Sequence, residues 1–111
     1  MNIFISQPMR GLTDDEILKI RSDIKSAFRE QYPDKAVNFY FANLNTTPPF
    51  DSNGSLYCLS KSIELLSKCD AVIFANGWRK TRGCCIEWEC ALRYGLDIYI
   101  ECGEVIKRYG D

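Results

Sequence analysis

A chain of 111 residues suits one domain with one hydrophobic core, and its 46% hydrophobic content predicts a soluble globular fold. The net charge of −1 argues against nucleic acid or an anionic membrane surface as a general partner. No apolar run is long enough to cross a bilayer, and the strand-like run after Met1 lacks the basic region of a signal peptide. We therefore expect a single domain, 1–111, acting in the cytoplasm.

The six cysteines are interpreted as reduced, mostly buried thiols, which agrees with that compartment. Most of them fall inside predicted helices or strands, and no two are spaced as Cys-x-x-Cys. The chain contains no histidine, so a Cys/His zinc site is excluded and the spacing does not suit a Cys-only site. We expect neither a bound metal nor a cofactor.

Hydrophobic patterning predicts alternating strands and helices along the first part of the chain. Asn2 to Ser6 is predicted as a short buried strand, followed by a turn at 7–11 that contains proline and glycine. Thr13 begins a capping-box pattern, and apolar residues then recur at helical spacing to about Glu30. A second strand is predicted at 37–41.

A long loop and five further helices and strands are predicted after the second strand. The loop, 43–55, is rich in Pro, Asn, Gly and Thr, and a loop of this length in so small a domain is either mobile or functional. The remaining elements are predicted in this order: a helix at 56–69, a strand at 71–75, a loop at 76–82, a helix at 83–94, a strand at 96–102 and a short helix at 105–109.

This order of elements predicts an α/β fold. Consecutive strand–helix–strand units with right-handed crossovers produce a mostly parallel sheet with helices on both faces. We expect four to five strands in that sheet. In open sheets of this kind, ligands bind beyond the carboxyl ends of the strands.

Two loops are expected to meet at that edge, namely 6–11 after the first strand and 76–83 after the third. Each loop opens a helix, and the backbone N–H groups at a helix start attract phosphate and other anions. Glu87 is expected about one turn inside the third helix, close to the same edge. Positive charge is supplied by the side chains Arg10, Arg79, Lys80 and Arg82.

Each of these features also has a purely structural explanation. A Pro-x-x-Gly turn before a helix is commonly only a turn, and Thr81 could simply cap the third helix. A glutamate such as Glu87 in a first helical turn commonly complements the helix dipole at the surface. Trp78 could pack in the core or at its rim instead of contacting a substrate. These alternatives remain open at the level of single residues.

Two segments taken together resemble the nucleoside 2-deoxyribosyltransferase-like superfamily. Its opening signature, Tyr-Ile-Ser-Gly-Pro-Met-x-Gly, is similar to Phe4-Ile5-Ser6-Gln7-Pro8-Met9-Arg10-Gly11. Its second signature resembles Gly77-Trp78, Thr81-x-Gly83-Cys84-x-x-Glu87 and Ala91-x-x-x-Gly95. The chain is most similar to a small branch of phage and bacterial proteins known as a domain of unknown function.

The resemblance implies a flavodoxin- or Rossmann-like three-layer sandwich that cleaves the N-glycosidic bond of a deoxynucleoside or deoxynucleotide. It implies that Glu87 is the nucleophile at the sugar C1′, where a carboxylate stabilises and captures an oxocarbenium-like state. Water then gives hydrolysis, and a second base gives deoxyribosyl transfer. The substrate-binding residues implied by the resemblance are Ser6, Gln7, Pro8, Met9, Arg10, Gly11, Trp78, Thr81 and Gly83.

The residue at position 81 favours a nucleotide over a nucleoside. In true deoxyribosyltransferases the corresponding position resembles an Asp that contacts the base, whereas relatives that hydrolyse deoxynucleoside 5′-monophosphates carry a phosphate-binding Ser there. Thr81 matches the second kind. The resemblance also implies a homo-oligomer, because family members complete their pockets with residues from a neighbouring subunit.

One departure from the family pattern bears on the mechanism. The family carries an Asp in the helix before the third strand, where this chain has Ser60-Lys61-Ser62. Asp51 in the preceding loop is a possible substitute. Without an acid near the base, protonation of the leaving group is unexplained. The alternative is therefore a non-catalytic protein that binds a nucleotide to sense or sequester it, or an interaction protein with a vestigial site.

Overall fold

The computed structural model describes residues 1–110, which form one sheet with helices on both faces. A 3-10 turn, Trp78–Lys80, precedes the last helix. The elements are β1 (Asn2–Ser6), α1 (Asp14–Gln31), β2 (Asn38–Phe41), α2 (Gly54–Leu66), β3 (Ala71–Phe74), α3 (Arg82–Arg93), β4 (Asp97–Cys102) and β5 (Val105–Arg108).

The sheet has the strand order β2-β1-β3-β4-β5, in which the first four strands are parallel and β5 is antiparallel to β4. The connection that leaves β1 runs to β2 on one side, whereas the connection that leaves the adjacent β3 runs to β4 on the other side. The register aligns Ser6 with Phe74, and β1 and β3 therefore end at the same level. Their following loops emerge side by side at a topological switch point, the usual ligand site of such sheets.

Alternate side chains of the strands point to opposite faces and build two hydrophobic layers. Helix α1 covers one face, where Ile24 and Phe28 pack on residues such as Ile3, Ile5, Ile73 and Tyr99. Helices α2 and α3 cover the other, where Leu66, Cys84 and Ala91 pack on residues such as Phe4, Val72, Phe74 and Ile98. The expected three-layer α/β sandwich is thus confirmed.

The predicted short helix at 105–109 is wrong, because Val105–Arg108 forms the edge strand β5. Gly103 has a φ of +63°, which permits the tight turn between β4 and β5. Ile106 is buried while its sequence neighbours are exposed, and residues 105–108 pair with β4 in an antiparallel register. The side chain of Gln31 completes the outer edge: its Nε2 donates to the Ile106 carbonyl and its Oε1 accepts from the Ile106 N–H.

Local capping explains where the first two helices begin. Thr13 and Glu16 form the expected capping box at the start of α1. The Oδ1 atom of Asn53 accepts the N–H of Leu56, which sets the start of α2 two residues before the predicted boundary. Within residues 1–110 no helix is both long and apolar enough to cross a membrane.

Replacing Gln31 with alanine tests the edge contact. The Gln31→Ala substitution removes both hydrogen bonds to the Ile106 backbone, so we expect the free energy of unfolding to fall by about 1–2 kcal/mol. Urea denaturation measures the change, and Glu30→Ala, at an exposed neighbouring position, is the matched control. An equal effect of the two substitutions would show that Gln31 does not stabilise β5.

Candidate active site

A cleft of about 1240 Å³ opens at the carboxyl edge of the sheet, at the switch point between β1 and β3. Its walls are the loop after β1, the starts of α2 and α3, and the first part of the loop after β2. Pockets for drug-sized ligands span about 300–1,000 Å³. The cleft therefore has room for a ligand of nucleotide size or larger.

Glu87 and Ser6 meet in this cleft although they are 81 positions apart in the chain. Helix α3 places Glu87 with only 5% of its surface exposed, so it is not a surface residue that merely complements the helix dipole. The buried Ser6 hydroxyl, at the end of β1, donates to Glu87 Oε1 at 2.7 Å. Within residues 1–110 the other oxygen, Oε2, has no hydrogen-bond partner and is open to a ligand.

Burial raises the pKa of Glu87 to about 7, while the hydrogen bond from Ser6 acts in the opposite direction. Removal from water disfavours the charged form, and the Ser6 hydroxyl partly compensates by stabilising the carboxylate. The carboxyl group therefore changes its charge near neutral pH. A carboxyl group with such a shifted pKa inside a cleft is a typical candidate for acid–base or nucleophilic chemistry.

Cys84 lines the same cleft beside Ser6 and Glu87. Burial raises the pKa of its thiol to about 11, and the hydrogen bond with Ser6 only partly opposes this. The nearby Glu87 carboxylate raises the pKa further. Cys84 is therefore a protonated thiol that contributes packing to the cleft floor, not an activated nucleophile.

The loop after β1 lines the cleft with Ser6, Gln7, Pro8, Met9 and Arg10, whereas Gly11 lies outside the lining. The side chain of Gln7 is occupied by the protein itself. Its Nε2 donates to the Ile17 carbonyl at 3.2 Å, and its Oε1 accepts from Arg21 Nε at 2.6 Å. Because both ends of the amide face α1, only the backbone of Gln7 remains for a ligand.

Arg21 is a structural determinant of the site that sequence analysis missed. It is 4% exposed and donates from Nη2 to the Ala42 carbonyl at 2.7 Å, while its guanidinium lies 4.4 Å from the ring centroid of Phe41. Together with its bond to Gln7, it joins the loop after β1 to the end of β2. The available signal was a charged residue at a position of the apolar stripe of α1, four residues after Ile17.

Thr81 and Gly83 line the cleft at the start of α3. Thr81 occupies the N-cap position, but its side chain makes no capping hydrogen bond, so its hydroxyl is not used by the helix. A Cβ atom built on Gly83 would lie 3.9 Å from Leu59 Cδ1, which places the start of α3 close to α2. The purely structural explanation of Thr81 as a side-chain cap therefore does not hold.

Trp78 lies outside the cleft lining and packs in the core. Its ring stacks on Trp88, with centroids 4.4 Å apart and planes 16° from parallel, and it also contacts Phe74. Arg79 lies over the outer face of this cluster, 5.4 Å from the Trp78 ring centroid. The position of Trp78 agrees with the core-packing alternative, and a substrate contact of Trp78 stays a prediction.

The charged side chains of the cleft are distributed unevenly. Among the described residues of the lining, Glu87 is the one carboxyl group and it lies at the bottom. Asp51, considered above as a second acid, is exposed and lies outside the lining. The rim of the cleft carries four exposed cations, Arg10, Lys61, Lys80 and Arg82. This positive rim attracts an anionic ligand.

Ser62 is a second polar residue of the cleft that the sequence did not single out. It is 8% exposed, lines the cleft, and has no hydrogen-bond partner within residues 1–110. Leu59 and Gly83 bring the two helices together, and Ser62 and Glu87 follow them by one turn on α2 and α3. Ser62 thus offers the cleft a neutral hydroxyl from α2.

The cysteines and acids of the described chain do not assemble further sites. Within residues 1–110 no group of three or more His, Cys, Asp or Glu side chains is placed to hold a metal ion. All six cysteines are free thiols. The candidate chemistry of the cleft therefore rests on Glu87, with Ser6 as its hydrogen-bond donor.

The raised pKa of Glu87 predicts a stability cost for its charge. The folded protein holds a proton on Glu87 that the unfolded chain loses above about pH 4.5, so stability falls as pH rises towards 7. Glu87→Gln cannot ionise and keeps an acceptor for Ser6. We expect this variant to be more stable than the parent at pH 8, by about 1–3 kcal/mol, with a smaller difference at pH 5.

Urea denaturation at both pH values measures this difference, and Glu30→Gln on the exposed face of α1 is the control for loss of a charge. If the Glu87→Gln variant and the parent had the same stability at both pH values, the carboxyl group would not be desolvated.

The hydrogen bond from Ser6 predicts a shift that NMR can measure. Ser6→Ala removes a donor that stabilises the carboxylate, so the pKa of Glu87 should rise above about 7. The carboxyl ¹³C chemical shift of Glu87 followed through a pH titration reports this value. Ser60→Ala, which alters an exposed hydroxyl on α2, should leave the titration unchanged. An unchanged pKa in Ser6→Ala would contradict the proposed contact.

Comparison of the chain with protein-family models, with curated proteins and with solved structures finds no match in any of the three. The geometry of the cleft and the resemblance of its two signature segments are therefore the two indications of function.

Proposed function

We propose that this protein cleaves the N-glycosidic bond of a deoxynucleoside 5′-monophosphate or a related nucleotide, by hydrolysis or by deoxyribosyl transfer. The observation that carries the proposal is the buried carboxyl group of Glu87, with one oxygen bonded to Ser6 and the other open to a cleft large enough for a nucleotide. The resemblance to nucleoside 2-deoxyribosyltransferase-like proteins supports the same reading.

Glu87 acts as the nucleophile in this proposal. As the bond from C1′ to the base lengthens, positive charge develops on the sugar, and the ionised carboxylate stabilises that charge and then bonds to C1′. The low exposure of Glu87 strengthens this attraction, because little water is present to screen it. Ser6 holds Oε1, so that Oε2 is the attacking atom. The activity should rise as the pH passes about 7, the pKa of Glu87.

The phosphate of the nucleotide is assigned to the start of α3 and the loop after β1. The N–H groups of the first turn of α3 have no partners within the helix, and the hydroxyl of Thr81 is not used for capping. The exposed side chain of Arg10 lies across the cleft in the loop after β1. These groups supply hydrogen bonds and positive charge to a phosphate, which favours a nucleotide over a nucleoside.

The second candidate is a nucleotide-binding protein without turnover. It is favoured by one observation: Glu87 is the sole carboxyl group among the described residues that line the cleft, whereas glycosidic cleavage commonly uses two. In this alternative the same cleft and positive rim would sense or sequester a nucleotide.

The proposal includes a homo-oligomer acting in the cytoplasm, with neither a nucleic acid nor a membrane as partner. Phe50 is fully exposed, and Leu56 is largely exposed at the start of α2 beside the cleft. Large apolar side chains at such positions suit contact with a second copy. The free thiols suit a reducing compartment.

Incubation with the four deoxynucleoside 5′-monophosphates, followed by chromatography of the free bases, tests the proposal. We expect base release that falls by about 10³-fold or more in Glu87→Ala, because the nucleophile is removed. Circular dichroism and the stability of the variant verify that the fold is retained. Base release that persists in Glu87→Ala would reject the assigned role of Glu87.

The phosphate assignment is tested with matched nucleosides and nucleotides. Arg10→Ala should raise KM for a deoxynucleoside monophosphate and leave KM for the corresponding nucleoside unchanged. Lys25→Ala, outside the cleft, is the control for loss of a cation. Equal affinity of the parent protein for both ligands in calorimetry would reject the assignment. Tight nucleotide binding that is unaffected by Glu87→Ala, without base release from any nucleotide, would support the binding protein instead.

A further inference from the structure

The cleft lacks an evident donor for the proton that an uncharged base needs when it leaves. A neutral nucleobase that departs from C1′ takes the bonding electron pair with it and would become an anion, so glycosidases protonate it with a second acid. Glu87 cannot fill both roles, since it must be ionised to attack C1′. No histidine exists in the chain, and no other carboxyl group is found among the described lining residues.

The remaining groups of the cleft are poor proton donors at neutral pH. The proton of Ser6 is engaged by Glu87 at 2.7 Å, and the Cys84 thiol has its pKa raised to about 11 by burial. Ser62 and Thr81 contribute alcohol hydroxyls, which are far weaker acids than a carboxylic acid, and the ammonium groups of Lys61 and Lys80 are exposed at the rim. Among the described residues, the cleft therefore supplies a nucleophile for the sugar and no buried carboxylic acid for the base.

We propose that the substrate is a nucleotide whose base already carries a positive charge, such as the pyridinium ring of a nicotinamide nucleotide or an N7-alkylated purine. Such a heterocycle leaves as a neutral molecule and needs no proton donor. This inference rests on the proposed function, because it names the substrate class for the same carboxylate.

The distribution of charge in the cleft is complementary to such a molecule. Glu87, 5% exposed, offers negative charge at the bottom, and four exposed cations offer positive charge at the rim. A nucleotide with a cationic base has the opposite arrangement, with positive charge beside C1′ and negative charge on its phosphate. The base is attracted to the carboxylate while the phosphate is attracted to the rim.

The reaction balances without an added acid. Glu87 Oε2 forms a bond to C1′ as the bond from C1′ to the ring nitrogen breaks, and the electron pair of that bond neutralises the charge of the heterocycle. Water then attacks C1′, the carboxylate of Glu87 leaves, and the proton of the water passes to solvent. Each turnover thus releases one neutral heterocycle, one sugar phosphate and one proton.

The sharpest test compares 7-methyl-2′-deoxyguanosine 5′-monophosphate with 2′-deoxyguanosine 5′-monophosphate, which differ only in the methyl group and the charge of the base. Spontaneous base loss from each is measured in the same buffer. We expect the enzymatic rates to differ by the same factor as the spontaneous rates. A general acid in the site would reduce that factor by about 10²-fold or more, because it accelerates only the neutral base. Such a reduction would overturn the inference.

The second arm of the test uses nicotinamide mononucleotide and its adenine dinucleotide. Comparing their cleavage with that of the methylated guanine nucleotide shows whether the cationic base is a pyridinium ring or an alkylated purine. With a pyridinium substrate, the rate should rise through about pH 7 and stay constant to pH 9, with one proton released per nicotinamide. A fall in the rate at high pH would reveal a required acid and reject the inference.

The Cys84→Ala variant should leave the ratio of the rates for the two guanine substrates unchanged. A larger ratio in this variant would identify Cys84 as the required acid.

The two proposals fail in different ways. If uncharged bases are released and the enzymatic rates for the two guanine nucleotides differ by much less than the spontaneous rates do, the cationic substrate class is rejected. The proposed N-glycosidase activity is then retained. Absence of base release from every nucleotide, with or without a charged base, rejects both. Loss of all release in Glu87→Gln, with the fold retained, supports the carboxylate chemistry on which both depend.

Discussion

The hydrogen bond between Ser6 and Glu87 is the contact on which the arrangement of the site depends. It joins the end of β1 to the second turn of α3 across 81 positions of sequence. It is also the one protein hydrogen bond to the carboxyl group among the described residues, and burial outweighs it in setting the pKa. The fold thus holds a carboxylate in surroundings that stabilise its charge incompletely. The charged form of Glu87 therefore lowers the stability of the fold, and in the proposed mechanism the positive charge that develops on the sugar would compensate for it.

Arg21 is the counterpart of Glu87 on the other side of β1. Both are almost fully buried, and neither forms an ion pair within residues 1–110. Arg21 is bonded instead to the Gln7 amide and the Ala42 carbonyl, and it lies over the Phe41 ring. These neutral partners hold the loop after β1 and the end of β2 against α1. Arg21 therefore stabilises this wall of the cleft from the side of α1. The side of the wall that faces the cleft stays free for a ligand.

Several parts of the site were predictable because they follow from topology. Parallel strands with right-handed crossovers bring the loops after β1 and β3 to one edge, whatever the details of packing. The role of Trp78 was not predictable, since the same aromatic ring suits a core and a ligand contact. The terminal strand was missed because four residues at a chain end fit either periodicity, and only the pairing with β4 and the contact with Gln31 select the strand.

By itself, the sequence determined the alternation of strands and helices, the capping box at Thr13, and the edge of the sheet where a ligand would bind. These follow from local periodicity, local hydrogen bonding and the chirality of crossovers. Only the tertiary structure decided that Glu87 is buried beside Ser6, that Gln7 faces Arg21, and that Ser62 opens to the cleft with no hydrogen-bond partner among residues 1–110. Burial and the choice of hydrogen-bond partner depend on residues distant in the chain, which no local pattern specifies.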